Sequence, residues 1–140
     1  MNREALAKQL VIDEGLRLKP YHCTAGKLTI GVGRNLDDVG ITKAEAMMLL
    51  ASDIERVETE LDRVLPWWRG MSDKRQQVLA NMCFNMGIGN STCGLLSFRN
   101  TLAAMQRGDY KAAARGMLDS AWARQVGDRS ERLAKMMEQG

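Results

Sequence analysis

The hydrophobic pattern of the chain changes its period twice. From Arg3 to Glu14 it is helical: Leu6, Leu10 and Glu14 fall at i, i+4 and i+8, with Ala7 and Val11 alongside. Asn2 stands where an N-cap belongs and Gly15 where a helix stops. Residues 16–34 then alternate with a period of two. Leu28, Ile30 and Val32 are expected to point one way, and Thr29, Gly31 and Gly33 the other. "TAGK" supplies the turn of this hairpin, and Pro20 suits an edge strand. One face is expected to pack. The other is bare backbone plus Thr29, a surface that another group can approach closely.

The helical period returns at Thr42. "TKAE" matches a capping box, and Ala44, Met47, Met48, Ala51, Ile54, Val57, Leu61 and Leu65 form one long stripe. That helix is expected to run to about residue 64, where "LPWWRGMS" ends it. Ser72 can cap the next helix, with Val78, Leu79, Met82, Cys83 and Met86 as its apolar face. After the loop "GIGNSTCG", shorter helices are expected at about 98–107, 109–123 and 129–138. No repeat or low-complexity linker interrupts the chain. The pattern predicts one α+β domain over residues 1–140. A hairpin lobe (about 15–41) is joined by a linking helix (about 42–64) to a helical lobe (about 72–140) that also takes in the first helix.

Composition narrows the chemistry. The 140 residues carry a net charge of +3, a mild basic bias that suits an acidic polymer such as cell wall or nucleic acid without selecting either. The basic residues form no run. Three cysteines, Cys23, Cys83 and Cys93, include no CxxC pair, and His22 is the lone histidine. That set assembles no metal site by the usual spacings, so neither metal nor other cofactor is expected, and the sparse cysteines fit a reducing compartment. The start of the chain, "MNREALAKQLVIDEG", has charges every few residues, and nothing later approaches a span of about 20 apolar residues. A soluble protein made in the cytoplasm, without membrane insertion, is the expectation.

Two glycine-rich stretches fail as phosphate loops. "GVGRNL" lacks the third glycine of a dinucleotide fingerprint and no βαβ unit surrounds it. "GNSTCGLL" has Leu95 where a phosphate-binding lysine belongs. Glu14 is more informative, being a carboxylate that continues the apolar stripe of its own helix. Burial there, and the negative end of the helix, both disfavour the anion, which is the condition a general acid needs. The bland alternative is a structural glutamate paired with a buried arginine.

Glu14, Cys23 and Thr29 lie in "EGLRLKPYHCTAGKLTIGVGRNL", and this segment resembles the active-site segment of the phage lysozymes of the T-even type. The family pattern is Glu, eight residues, Asp or Cys, five residues, Thr, and the spacing here matches at each step. The resemblance continues through "ITKAEAMMLLASDI", "NMCFNMG", "FRNTL" and "SAWARQVGDRSERL", nearly the whole chain in order. It implies a lysozyme-like fold and hydrolysis of the β-1,4 bond between N-acetylmuramic acid and N-acetylglucosamine in peptidoglycan, in a cleft between two lobes. Glu14 would protonate the glycosidic oxygen, and Cys23 and Thr29 would flank a water on the opposite face of the sugar. Inversion would follow.

Many members carry Asp where this chain has Cys23. A thiolate there can act as base or nucleophile or can stabilise an oxocarbenium ion, while a neutral thiol does these things poorly. The resemblance also implies that Arg129 supports Glu14. Asn81 and Phe84 would line the cleft, and Asn35 and Thr101 would contact saccharide, although those two differ in type from the prototype. Arg34 departs from a histidine of the prototype and Asp53 matches its acidic partner, so an Arg34–Asp53 ion pair is expected, worth ~0–1 kcal/mol if exposed. Trp67, Trp68 and Trp122 are expected to pack, not to stack on sugars. Cys83 is expected in the core and Cys93 in a loop. His22 neighbours Cys23 but points away by strand alternation.

The resemblance thus implies an endolysin: a monomeric muramidase in the host bacterial cytoplasm that reaches the wall once a holin-like membrane protein has opened the membrane. Three other classes compete. A lytic transglycosylase would cut the same bond and leave anhydro ends. A relic that binds peptidoglycan without cutting it would show no lysis, and a basic helical nucleic-acid binder would show salt-dependent binding instead.

Overall fold

The computed structural model describes residues 1–140, and these form two compact units, Met1–Leu49 and Leu50–Gly140. No helix in it is long and apolar enough to cross a membrane. The order of elements is α+β, with a small antiparallel sheet near the start and helices through the rest.

In the N-terminal unit, α1 spans Arg3–Glu14 and is capped as its sequence requires. The Asn2 side chain accepts a hydrogen bond from the Ala5 N–H at 2.9 Å, and Gly15, at φ +79°, ends the helix. Three strands follow, β1 (Arg17–His22), β2 (Leu28–Gly31) and β3 (Arg34–Asn35), in the order β1-β2-β3. Tyr21 pairs with Thr29 and His22 with Leu28, while Thr29 pairs with Asn35 on its other side. Pro20 lies on the edge strand, where its missing N–H costs the ladder nothing.

Two expectations for this unit are corrected. The stripe on α1 is not buried by the unit itself: Leu6, Leu10 and Val11 stay exposed, and so does Glu14, because a three-stranded ribbon this short has no apolar layer to spare for a helix. In β2 the covered residue is Thr29, at 3% exposure, while Leu28 and Ile30 are half-buried and Val32 is exposed. The expected packed face is thus not the more buried one, since Thr29 is covered more than its apolar neighbours.

The next helix, α2, spans Lys43–Val64 and opens with the capping box. Thr42 Oγ1 accepts from the Glu45 N–H, and Glu45 Oε1 accepts from the Thr42 N–H. The boundary between the units falls inside this helix. Its stripe is buried only at Val57 and Leu61, with Leu65 just past its end, whereas Met47, Met48 and Ile54 are exposed.

The C-terminal unit holds the main core. A 3-10 turn at Pro66–Gly70 leads to α3 (Asp73–Met86), capped by the Ser72 side chain, and then to α4 (Arg99–Gln106), α5 (Tyr110–Leu118), α6 (Ala121–Val126) and α7 (Asp128–Gln139). The helix expected at 109–123 is two helices, because Ser120 leaves the helical conformation and caps α6 through a bond from the Ala123 N–H. The core is rich in methionine. Met82, Met105, Met117 and Met137 are fully buried beside Leu61, Leu79 and Leu95, each such side chain contributing about 1.5–3 kcal/mol of transfer free energy.

Trp68 and Trp122 are buried, and Phe98 meets Trp122 edge-on. The Trp68 indole N–H donates to Asp62 at 2.7 Å and that of Trp122 to Asn85 at 2.8 Å, so neither buried ring leaves a donor unpaired. Cys83 is buried and Cys93 exposed, as read from their patterns.

Candidate active site

Glu14 ends α1, and the sequence puts bare backbone opposite it. The Glu14 carboxyl lies over Gly33: a Cβ built on Gly33 would stand 3.0 Å from Oε2, 3.2 Å from Cδ and 3.3 Å from Cγ. Gly33 also holds φ +67°, which side-chain-bearing residues rarely adopt. The glycine face of the hairpin is thus approached closely, and the group that approaches is the candidate acid.

Cys23 and Thr29 are joined through one atom. The carbonyl oxygen of Lys27 accepts from the Thr29 hydroxyl at 2.8 Å and from the Cys23 N–H at 2.9 Å. That shared acceptor fixes the turn Cys23–Gly26, which closes with a bond from the Gly26 N–H to the Cys23 carbonyl. Cys23 is half-buried and Thr29 buried. Main-chain hydrogen bonding from Lys27, then from Ala25, holds the Cys23 thiol below the usual range, aided by the Thr29 side chain and opposed by partial burial. Dipoles favour the thiolate here, and no charged side chain is among them.

Asn35 pairs with Thr29 across the ladder, but its amide is engaged. Asn35 Nδ2 donates to Asp38 Oδ2 and Asn35 Oδ1 accepts from the Asp38 N–H, both at 2.9 Å. Arg34 is not paired with Asp53. Its guanidinium forks onto Glu45, with Nη1 to Oε1 at 2.9 Å and Nη2 to Oε2 at 2.8 Å, while Asp53 takes Arg56 one turn along α2. Glu45 sits at the N-terminus of α2, in reach of both the Thr42 N–H and Arg34, and together these bring its carboxyl down to about 2. Asp53, about two turns further on, has Arg56 at i+3 as its partner.

In the C-terminal unit, Arg129 donates through Nε and Nη2 to Asn81 Oδ1 at 3.1 and 2.7 Å. Asn81, Phe84 and Arg129 line a groove of about 520 Å³ with Ile54, Val57 and Trp68. Phe84 is 46% exposed on it, a large aromatic surface left open to solvent. Thr101 lies elsewhere, buried against Gly116, at a second concavity of about 760 Å³ that Asn100, Ser120 and Trp122 share. Nowhere do three or more His, Cys, Asp or Glu side chains gather as metal ligands would.

The structure therefore brings Cys23 and Thr29 together, and Asn81, Phe84 and Arg129 together, and keeps Thr101 apart from that second group. Sequence reasoning missed Lys27, Asp37 and Asp38. The signal for the last two was available: a pair of aspartates directly after a short strand, where Asx side chains commonly cap free backbone N–H groups.

Comparison with known proteins identifies the family. The family model for phage lysozyme matches residues 12–138. The pre-baseplate central spike protein Gp5 of Enterobacteria phage T4 is 30% identical over 164 residues, and this chain spans 28% of that protein's length. Probable T4-type lysozyme 1 of Dictyostelium discoideum is 25% identical, covering 97% of this chain and 95% of its own. An endolysin of Acyrthosiphon pisum secondary endosymbiont phage 1 is 32% identical over 105 residues, covering 72% of this chain and 66% of its own. The family match takes in every candidate residue from Glu14 to Arg129, and the chain belongs to the phage lysozyme family.

Proposed function

We propose that the chain is a peptidoglycan muramidase. It hydrolyses the β-1,4 bond between N-acetylmuramic acid and N-acetylglucosamine, with inversion, using Glu14, Cys23 and Thr29. The observation that carries this is the Lys27 carbonyl, which ties Cys23 to Thr29 in a chain whose match to the phage lysozyme family takes in both residues and Glu14.

In the proposed step the Glu14 carboxyl gives its proton to the glycosidic oxygen as the bond from that oxygen to C1 breaks. A water held by Thr29 forms the new bond to C1 from the opposite face and passes a proton to the Cys23 thiolate. Solvent then returns the proton balance, from the Cys23 thiol to the Glu14 carboxylate. Thr29 suits an acceptor role toward that water, because its own hydroxyl hydrogen is donated to the Lys27 carbonyl. Arg129, steadied by Asn81, supports Glu14; Phe84, Asn81, Thr101 and Asn35 are the candidate contacts to glycan.

The test is digestion of purified peptidoglycan with mass analysis of the fragments. Hydrated reducing ends that disappear with Glu14→Gln support the reading. Anhydro ends point to a transglycosylase, and a protein that binds without cutting points to a relic.

In its biological setting the muramidase acts as a monomeric endolysin, admitted to the wall by a holin-like membrane protein. One observation favours a second setting for the same chemistry: the similarity to the T4 spike protein, of which this chain spans just over a quarter. Lysis on co-expression with a membrane-permeabilising partner, and none without it, supports the first.

A further inference from the structure

The β2–β3 hairpin continues past its two-residue last strand by means of side chains. Leu36 N–H donates to the Leu28 carbonyl at 2.7 Å, as the next rung of the ladder should. The return bond of that rung comes from elsewhere: the Leu28 N–H donates to Asp37 Oδ2, also at 2.7 Å. The next residue, Asp38, receives Lys27 Nζ at 3.2 Å on one carboxylate oxygen and Asn35 Nδ2 at 2.9 Å on the other. Two consecutive carboxylates therefore grip two consecutive residues, Lys27 and Leu28. The first of these carries the carbonyl that ties Cys23 to Thr29, and the second directly precedes Thr29.

Resting on the muramidase reading above, we infer that Asp37 and Asp38 are positioning residues, which set the Cys23–Thr29 pair through the backbone of Lys27 and Leu28. Asn35 belongs to the same clamp, since both ends of its amide are taken by Asp38. A β2 strand free to slide at its first residue would move the Lys27 carbonyl, and the sulfur, the hydroxyl and any water between them would lose registry together. Misplacement of reacting groups on this scale lowers turnover far more than it lowers affinity. The clamp acts through hydrogen-bond geometry and not through the charge of Asp37, because its contact is to a main-chain N–H that an amide oxygen can accept equally well.

The experiment uses the full chain with Cys93 replaced by Ser, and reads Cys23 alkylation by iodoacetamide against pH, with peptide-resolved mass spectrometry, beside kcat and KM on peptidoglycan. Asp37→Ala is expected to slow Cys23 alkylation at neutral pH by about threefold, since fewer aligned N–H groups favour the thiolate. It is expected to lower kcat by about tenfold with KM within about twofold. Asp37→Asn restores both. Asp38→Ala, which cuts the bonds to Lys27 and Asn35 and leaves Asp37 in place, moves both in the same direction by less. Wild-type alkylation in Asp38→Ala, with Asp37→Ala either unchanged or unfolded, overturns the inference. So does an Asp37→Asn variant as impaired as Asp37→Ala. The alkylation profile does not depend on cleavage, so a protein that proves not to cut peptidoglycan leaves the clamp still measured.

Discussion

Glu14 and Gly33 occupy one another's space: the carboxyl of the first fills the volume a side chain on the second would need, 3.0 Å from the position of its missing Cβ. Gly33→Ala is therefore expected to act twice. The left-handed backbone disfavours any Cβ by about 1 kcal/mol, and the new methyl pushes the carboxyl off the strand. A fall in kcat of about tenfold or more, with a loss of only about 1–2 kcal/mol in urea unfolding, is the expected pattern. Equal turnover in the two proteins would detach Gly33 from the placement of the acid.

Cys23 gives a prediction in pH. Main-chain hydrogen bonds from Lys27 and Ala25 shift its thiol downward, so the thiolate population rises at lower pH than for a free cysteine. Activity should rise with pH through that titration. Cys23→Asp should stay active and move the rising limb to lower pH, because a carboxylate ionises near 4. Cys23→Ser, similar in size without an accessible anion, should lose most of its activity. A fully active serine variant would reduce the catalytic set to Glu14 and Thr29.

The Arg34–Glu45 fork makes the N-terminal unit sensitive to acid. Glu45 is held down to about 2, below an unfolded carboxylate near 4.3. A group whose folded pKa is depressed adds stability that is complete above the unfolded value and fades as pH falls through the folded one. Thermal midpoints should thus decline between about pH 4.5 and pH 2, and Glu45→Gln should flatten that decline. The contribution is small, because the pair is partly exposed and water screens it. A decline of the same steepness in Glu45→Gln would assign the acid sensitivity to other groups.

Arg129 and Asn81 share two hydrogen bonds, so their variants should not be additive. Arg129→Ala is expected to lower kcat strongly while leaving the unfolding midpoint within a few degrees. Asn81→Ala should do the same more weakly, since it frees the guanidinium without removing it. The double variant should match Arg129→Ala alone. A double variant whose effect is the product of the singles would mean that the two residues act separately.

What the sequence by itself determined is what depends on neighbours along the chain. The caps at Asn2, Ser72 and Thr42, the stop at Gly15 and the order of helix and hairpin follow from local hydrogen bonding and backbone conformation, and each was legible in a few consecutive residues. The Glu14, Cys23 and Thr29 spacing was legible in the same way, and the family match covers it.

Tertiary structure alone decided which groups meet. Periodicity predicted a strand at β2 but not which residue is covered, and Thr29 proved to be the buried one. The resemblance offered Asp53 to Arg34, whereas the folded N-terminal unit pairs Arg34 with Glu45. Asn81 and Arg129 are 48 residues apart and find each other only because α3 and α7 pack together. Lys27 drew no notice as a residue, because its part is played by a carbonyl oxygen that every residue has. Local propensities are written in the side chains of a short window. The choice of partner is settled by distance, and distance exists only after the chain has folded.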